Sequence, residues 1–288
     1  CALPISDWWK MGGRQEGCRV DPGSEQVFLL VTLDRALRER RVAARTSGPE
    51  SWCPERAAEA WDMMGEPARR TVGHIATHGY GGGQGRTALR DRARRARLPV
   101  WVSEYGDADA SGLTMARQIV ADLRDLQPCA WVYWQAVDAG GWGCIDLDVN
   151  KPLVEPRHNR KFDMLAQFSR FIRPGARLVG ASDAATVSAL KWDRLTVVTV
   201  GGETDERLRI DVSRAAPTGK PARVVRSSAG EAQVELPAAP LQDGSIRIEV
   251  PARSVVTVVV PVKPPTEAAP EQPKPPAEGS SDRKSTRL

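Results

Sequence analysis

The stretch Pro99-Val-Trp-Val-Ser-Glu-Tyr-Gly106 predicts a buried strand that ends in a single carboxylate, Glu104. Valine and tryptophan favour extended backbone, and polar residues begin where the apolar run stops. If this strand is one of a parallel barrel of alternating strands and helices, its carboxyl end faces the substrate. Glu104 is then a candidate nucleophile, whereas an isolated acid at a strand end caps the next helix or pairs with an arginine.

On both sides of this strand, short apolar runs alternate with helical periods from Asp7 to about Gly175. Such alternation is typical of a parallel sheet covered by helices. Helical spacing of leucine, alanine and phenylalanine predicts the helices, and β-branched or aromatic runs predict the strands. The predicted helices cover residues 25–41, 54–64, 86–97, 113–126 and 162–172, and the other predicted strands cover residues 42–44, 72–77 and 130–137, the last of them buried.

After Gly175 the apolar period changes from helical to two, with turns rich in Gly, Pro and Asp. This pattern predicts an antiparallel β-sandwich over residues 176–262. Its predicted strands are residues 195–200, 208–212, 222–225, 234–236, 246–250 and 255–260. Residues 263–281 consist mainly of Pro, Glu, Ala and Lys and predict a linker. The fold class is α/β plus all-β, with a partial barrel over residues 6–175.

Both ends of the chain resemble translated sequencing adapter. The codons GATCGGAAGAGCACA encode Asp282-Arg-Lys-Ser-Thr286, and their reverse complement encodes the first five residues, Cys1-Ala-Leu-Pro-Ile5. We therefore expect residues 1–5 and 282–288 to be foreign to the fold. The remaining residues are then expected to be an internal fragment of a longer protein.

Composition excludes some partners. The net charge of +5 is spread along the chain, which does not indicate a nucleic-acid partner, and the arginines of residues 86–97 fit the solvated face of a helix. No apolar run is long enough to span a bilayer. The five cysteines lack paired spacing and the three histidines are scattered, so we expect no metal. Cys129 and Cys144 flank one predicted strand and should not bond, which leaves Cys18 and Cys53 as the better pair.

Three predicted strands are followed by side chains that suit carbohydrate chemistry. They are His78-Gly79-Tyr80, Glu104-Tyr105 and Trp134-Gln135. In a parallel barrel these ends converge on one face. Carbohydrate chemistry needs a carboxylate beside the anomeric carbon, hydrogen bonds to hydroxyls, and aromatic faces against sugar rings. Core packing of Trp134 and an ordinary strand-end role for His78 remain open alternatives.

Five motifs carry a resemblance to a known family. They are Asp7-Trp-Trp-Lys10, Gly13-Arg-Gln-Glu-Gly-Cys18, Ser103-Glu-Tyr-Gly-Asp-Ala-Asp-Ala-Ser-Gly-Leu113, Ala130-Trp-Val-Tyr-Trp-Gln135 and Gly140-Gly-Trp-Gly143. Together they resemble the endo-β-1,6-galactanase-like members of glycoside hydrolase family 30, over residues 7–262. The resemblance implies a (β/α)8 barrel with an attached β-sandwich and retaining hydrolysis by two glutamates.

The resemblance also implies roles for individual residues. Glu104 matches the nucleophile after strand 7, and the residues implied to bind substrate are Tyr80, His78, Tyr105, Trp134, Gln135, Glu16 and Trp8. The acid/base glutamate of the family lies in an Asn-Glu-Pro motif just before Asp7, and by that register its position is occupied by Leu3. Residues 45–51, after strand 5, also depart from the family pattern.

The parent protein is therefore expected to be a secreted, monomeric, retaining endo-glycosidase that needs no cofactor and acts on β-1,6-galactan. Relatives in the family act on xylan, β-1,6-glucan or glucosylceramide, which leaves the substrate open. The chain itself is expected to be inactive because Leu3 cannot act as an acid. The rival hypothesis is a carbohydrate-binding protein that keeps the aromatic cleft without chemistry.

Overall fold

The computed structural model describes residues 20–148 and 155–264. The helices of this part are α1 (Glu25–Glu39), α2 (Pro54–Met63), α3 (Gly65–Arg69), α4 (Arg86–Ala96), α5 (Leu113–Ala121) and α6 (Arg160–Ser169). The strands of the first half are β1 (Thr46–Ser51), β2 (Val72–His78), β3 (Val100–Glu104), β4 (Ala130–Trp131), β5 (Val137–Asp138), β6 (Ile145–Asp146) and β7 (Arg157–His158). The strands of the second half are β8 (Arg177–Val179), β9 (Thr186–Lys191), β10 (Arg194–Val200), β11 (Glu206–Asp211), β12 (Ala222–Ser227), β13 (Val234–Ala239), β14 (Ser245–Val250) and β15 (Val255–Pro261).

The first half contains a parallel sheet with the strand order β1-β2-β3-β4. The buried apolar side chains of this sheet include Val72 and Ile75 of β2 and Val100 and Val102 of β3. Trp101, between the last two, is exposed because successive side chains of a strand point to opposite faces. The buried side chains pack against apolar residues of α1, α2 and α4. Members of this core are Leu30, Ala57, Trp61, Ile75, Leu89, Val100 and Val102. The predicted solvated arginine helix therefore also buries Leu89 and Ala93.

The prediction of a strand at residues 42–44 is wrong, because the chain forms β1 at Thr46–Ser51 instead. This segment, Thr-Ser-Gly-Pro-Glu-Ser, carries no aliphatic run, so periodicity could not identify it. Parallel pairing with β2 and burial between α1 and α2 make it extended. Its polar groups find partners inside the fold: the Thr46 hydroxyl donates to Thr71 O at 2.9 Å, and Gln26 Nε2 donates to Pro49 O at 2.6 Å.

The buried strand predicted at residues 130–137 is much shorter. Only Ala130–Trp131 pairs with β3, and the chain then leaves the sheet. Val132, Trp134 and Val137 are exposed rather than buried. The backbone beyond Trp131 enters the small three-stranded sheet β5-β6-β7, which the sequence did not predict.

The second half is antiparallel, as its period-two pattern predicted. Its larger sheet has the strand order β13-β12-β15-β10-β9-β8, and β11 pairs with β14 in a second sheet. All six strands predicted from the pattern are present, while β8 and β9 were missed. Valine side chains of β10, β12 and β15 form the core of this half with Ile246 and Ile248 of β14.

The two halves share a core. Met115 and Ala116 of α5 and Phe168 of α6 pack against Val198 of β10 and Val255 of β15. This contact fixes α5, the helix after β3, against the second half of the chain.

Gly112, just before α5, allows α6 to approach closely. It has φ +74° and a Cβ there would lie 2.6 Å from Lys161 Cα. A larger residue at this position would therefore force the two helices apart.

No helix of the described segments is long and apolar enough to cross a membrane. Among the described residues, Cys53, Cys129 and Cys144 are free cysteines. Cys18 lies outside the described residues, so its predicted pairing with Cys53 stays a prediction.

Candidate active site

The site lies at the carboxyl edge of the parallel sheet. Because all four strands run in the same direction, their last residues meet at one edge. Glu50 is near the end of β1, His78 ends β2, and Glu104 ends β3 in register with His78. Trp134 follows β4 and its backbone N–H donates to Tyr105 O at 2.7 Å. The structure thus brings His78, Glu104 and Trp134 of the sequence prediction to one edge.

His78 occupies the centre of this group and is 2% exposed. Its Nε2 lies 3.4 Å from Glu50 Oε1, and its Nδ1 lies 3.3 Å from Glu104 Oε1. One imidazole ring therefore lies between two carboxylates that come from the two neighbouring strands.

The two carboxylates control the charge of His78. Burial disfavours the charged imidazolium, but hydrogen bonding and attraction to Glu104 and Glu50 outweigh burial and raise the pKa of His78 to about 9. Burial acts to raise the pKa of Glu50, yet hydrogen bonds from His78 and Ser103 bring it below its ordinary value. At neutral pH the ring is cationic and the Glu50 carboxylate is anionic.

Tyr80 contacts the same oxygen of Glu104. Its hydroxyl donates to Glu104 Oε1 at 3.0 Å. Burial, and then the negative charge of Glu104, raise the pKa of the Tyr80 phenol, so the hydroxyl keeps its proton. Glu104 Oε1 thus accepts a hydrogen bond from Tyr80 and forms an ion-pair contact with His78, while the side chain of Glu104 remains 18% exposed.

A hydrogen-bond network supports the loop that joins His78 to Tyr80. Gln118 Nε2 of α5 donates to Gly79 O at 2.7 Å. Gln118 also contacts Asp122, a fully buried carboxylate that accepts from Arg86 Nε at 2.7 Å and Trp131 Nε1 at 2.9 Å. Burial raises the pKa of Asp122 even though Arg86, Trp131 and Gln118 oppose that effect. The arginines of residues 86–97 were predicted to form a solvated helix face, and Arg86 departs from this prediction because its side chain is mostly buried.

Exposed tryptophans border the site. Trp134 is 46% exposed, and Trp142 of the following loop is also exposed. The loop is fixed by Lys161, which is 0% exposed and donates to Gly141 O at 2.8 Å and to Asp107 O at 2.6 Å. Its ammonium also donates to the Tyr133 hydroxyl. Both tryptophans lie near Gly106, two positions after Glu104, because a Cβ on Gly106 would lie 3.4 Å from Trp134 Cβ and 3.4 Å from Trp142 Cζ3. Aromatic side chains of the kind that pack against sugar rings therefore lie near the end of β3.

The structure does not bring Tyr105 to the open edge. Its side chain is 7% exposed and packs in the core with Leu113 and Ala116 of α5. Gln135 is half-buried; in the amide orientation that satisfies both neighbours, it accepts from Trp134 Nε1 at 3.2 Å and donates to Asp138 Oδ2 at 3.0 Å. Glu16 and Trp8 lie outside the described residues, and their predicted roles stay predictions.

Sequence reasoning missed Glu50. It lies in the polar segment Thr46–Ser51, for which no strand was predicted, and the chain has φ +60° at this residue. The one feature of the sequence that could have indicated Glu50 is an acidic residue in the segment that precedes the strand of His78. That signal is weak without the pairing of β1 and β2.

The site contains no arrangement that suits a metal ion. In the parts of the chain that the structure describes, no cluster of three or more His, Cys, Asp or Glu side chains could hold one. The charged groups of the site instead pair with each other, as the Glu50, His78 and Glu104 contacts illustrate.

No family model matches the chain. A curated endo-β-1,6-galactanase from Hypocrea rufa is 34% identical over 221 residues, which amount to 75% of this chain and 45% of that protein. The chain is a homologue of endo-β-1,6-galactanase. The resemblance stated from the motifs is thus confirmed. The chain spans about 45% of the length of this curated relative.

Solved xylanases of glycoside hydrolase family 30 share the fold. The subfamily 8 xylanase from Clostridium acetobutylicum matches with a TM-score of 0.74 at 18% identity, over 90% of this chain and 65% of that one. The catalytic domain of xylanase C from Talaromyces cellulolyticus matches with a TM-score of 0.69 at 19% identity, over 85% and 58% of the two chains. The galactanase homologue therefore has a glycoside hydrolase fold of the TIM-barrel-containing type.

Proposed function

We propose that the intact protein is a retaining endo-glycosidase that acts on β-1,6-galactan or a related β-linked polysaccharide, with Glu104 as its nucleophile. The observation that carries this proposal is the environment of Glu104. Its carboxylate is partly exposed at the end of β3, its Oε1 faces Tyr80 and His78, and the exposed Trp134 and Trp142 lie near Gly106, two positions further along the chain. The galactanase relative supports the choice of substrate.

The proposed chemistry has two steps. A Glu104 oxygen forms a bond to the anomeric carbon while the bond from that carbon to the leaving oxygen breaks, and a general acid supplies the proton that the leaving oxygen takes. Water then attacks the glycosyl-enzyme and gives its proton back to the same acid/base group, which releases Glu104. Tyr80 and His78 hold the nucleophile during both steps.

Glu50 does not suit the role of the general acid. It is 5% exposed, and it is already engaged by His78, Ser103 and Ser47. A leaving oxygen could not reach it without the loss of these contacts. The resemblance implies that Leu3 occupies the position at which the family has its acid/base glutamate. Leu3 lies outside the described residues. We therefore propose that this chain forms the glycosyl-enzyme from activated sugars but does not turn over polysaccharide.

We propose domain boundaries that follow the two sheets. Residues 6–175 supply the C-terminal half of a (β/α)8 barrel, in which β1 to β4 are strands 5 to 8. Residues 176–262 supply the attached β-sandwich, and residues 263–281 are a linker. Because a polysaccharide is met outside the cell, we also propose that the intact protein is secreted. Its monomeric state stays a prediction.

Covalent labelling tests the role of Glu104 without any need for a general acid. A 2-deoxy-2-fluoro-β-galactosyl fluoride carries a leaving group that departs without protonation, so attack by Glu104 needs no general acid. We expect a stoichiometric mass increase located by peptide mapping to Glu104. The Glu104→Gln variant should not be labelled, whereas Glu203→Gln, an exposed acid of the second half, should be labelled like the parent chain.

The corresponding fluoro-xylosyl and fluoro-glucosyl compounds test the substrate. Fastest labelling by the galactosyl compound supports the galactanase proposal, and fastest labelling by another sugar redirects it to xylan or glucan. Binding of β-1,6-galacto-oligosaccharides without labelling by any of the three compounds would instead favour a carbohydrate-binding protein. That outcome would end the proposal that Glu104 is a nucleophile.

A further inference from the structure

Glu50 is the most unusual carboxylate of the described residues. It is 5% exposed and adopts φ +60°, a left-handed conformation that is uncommon for residues other than glycine. Ser103 Oγ donates to its Oε1, and Ser47 Oγ donates to its Oε2 at 3.4 Å. A buried acid that is engaged by these hydroxyls and by His78 has a fixed orientation.

The link from Glu50 to the nucleophile passes through a single ring. An imidazole has only two nitrogens, and Nε2 of His78 faces Glu50 while Nδ1 faces Glu104. Both contacts are ion-pair contacts, and Nδ1 has no partner of hydrogen-bond geometry. Rotation of the ring would lengthen the contact of Nε2 with Glu50 Oε1 and that of Nδ1 with Glu104 Oε1, so attraction to Glu50 fixes where the positive ring lies relative to Glu104.

This arrangement distinguishes the two oxygens of Glu104. Oε1 faces the Tyr80 hydroxyl at 3.0 Å and His78 Nδ1 at 3.3 Å. Among the described residues, no donor is found for Oε2, and the side chain is partly exposed. Oε1 is thus the anchored oxygen, and Oε2 is the oxygen that is free to form a bond.

We propose that Glu50 is a positioning residue that acts through His78, holding the imidazolium so that Glu104 is anchored by Oε1 and attacks through Oε2. The proposal rests on the proposed function of Glu104 as the nucleophile. Glu50 itself touches no substrate, because it is buried behind the ring. Its effect is on the orientation and charge of the histidine.

Titration of His78 in the full chain is the first test. The titratable groups that face the ring are Glu50 from β1, Glu104 from β3 and Tyr80 from the loop after β2. His74 also senses Glu50, and burial, its main influence, lowers the pKa of His74. We expect NMR of the three imidazoles, assigned with His74→Gln and His158→Gln variants, to show His78 charged up to about pH 9. In the Glu50→Gln variant, the pH midpoint of the His78 titration should fall toward neutral pH.

The rate of labelling by the 2-fluoro-galactosyl fluoride is the second test. Glu50→Gln should lower the maximal labelling rate roughly 10- to 100-fold, as expected when a reacting group is misplaced by a fraction of an ångström, with little change in the sugar concentration at half-maximal rate. The alkaline limit of labelling should move to lower pH together with the His78 midpoint. Glu50→Asp keeps the charge and should restore the His78 midpoint in part. The matched control is Glu55→Gln, an exposed acid on α2, which should change neither measurement.

The outcomes separate this inference from the proposed function. If a folded Glu50→Gln chain is labelled at the parental rate and with the parental pH profile, Glu50 is not a positioning residue. If Glu50→Gln does not fold, Ser103→Ala removes one donor to Glu50 and should shift both measurements in the same direction by a smaller amount; no shift overturns the inference. If the parent chain is not labelled while His78 titrates as expected, the glycosidase proposal fails and the coupling of Glu50 to His78 stands.

Discussion

Replacement of Lys161 by methionine should destabilise the chain and loosen the tryptophan loop. The Lys161 ammonium is fully buried and donates to Asp107 O at 2.6 Å, Asp107 Oδ1 at 2.9 Å and Gly141 O at 2.8 Å. It also donates to the Tyr133 hydroxyl, and its charge lies 4.9 Å from the centre of that ring. Methionine fills a similar volume but donates no hydrogen bond.

The expected loss follows from what the substitution leaves behind. Asp107 would become a mostly buried carboxylate without its cation, and its Oδ2 already has no hydrogen-bond partner. Removal of one partner of a buried ion pair costs about 3–5 kcal/mol. For a chain of this size each kcal/mol lowers Tm by roughly 2–4 °C, so Tm should fall by about 6–20 °C.

Urea and thermal unfolding, followed by tryptophan fluorescence and far-UV circular dichroism, measure this loss. Arg117→Met is the matched control, because Arg117 forms an exposed ion pair with Glu203 at 3.4 Å and should leave the transition unchanged. The double variant Lys161→Met/Asp107→Asn removes the uncompensated charge. It should recover part of the stability, with a coupling energy of about 1–3 kcal/mol.

A loss for Lys161→Met no larger than that of Arg117→Met would refute this reasoning. It would also be refuted if the loss of unfolding free energy in the double variant equalled the sum of the losses in the two single variants, since Lys161 and Asp107 would then not stabilise one another. Labelling adds a functional measurement. Because Lys161 fixes the loop that carries Trp142, the sugar concentration at half-maximal labelling should rise, while the maximal rate changes little.

The other predictions concern the proposed nucleophile Glu104, His78 and the core. Tyr80→Phe removes the hydroxyl that donates to Glu104, a hydrogen bond to a charged group worth about 1.5–3 kcal/mol, so labelling should slow by roughly 10- to 100-fold. An unchanged rate would contradict the assigned contact. Because the folded-state pKa of His78 is raised to about 9, its contribution to the free energy of unfolding is present below its ordinary value of 6.5 and is lost as pH rises through 9. Unfolding measured between pH 6 and pH 10 should show this decline, and a decline of equal size in His78→Gln would rule His78 out as its origin. Leu30→Ala should lower the free energy of unfolding by about 2–5 kcal/mol, because Leu30 is buried between α1 and the sheet. Phe28→Ala, on the exposed face of the same helix, should lower it little. Equal losses for the two variants would contradict the packing of α1.

Strong periodicity predicted most elements of the fold. Apolar residues recur at regular spacing in the helices α2, α4, α5 and α6 and in six strands of the second half. Regular spacing identifies an element whenever one of its faces is buried, whichever element it packs against. The motifs around Glu104 and Trp134 were also sufficient to predict the family resemblance, which the galactanase relative confirms.

Elements without a pattern of their own could not be predicted. Thr46–Ser51 is extended because β2 offers it parallel hydrogen bonds and α1 covers it, and neither partner is visible in the segment itself. The aromatic run after Ala130 satisfies β propensity, yet only Ala130 and Trp131 find a neighbouring strand. The pairing partner, rather than the propensity, decides how long such a strand is.

The sequence alone determined the fold class, the strand that carries Glu104 and the side chains of His78 and Tyr80 near it. Tertiary structure decided which atoms meet. Glu50 and Glu104 are 54 positions apart from one another in the chain, and only the order β1-β2-β3 places the ring of His78 between them. Tyr105, adjacent to Glu104 in sequence, is buried against α5 instead. Periodicity specifies which face of an element is buried, whereas the charge and orientation of a site depend on partners that the register of neighbouring strands brings together.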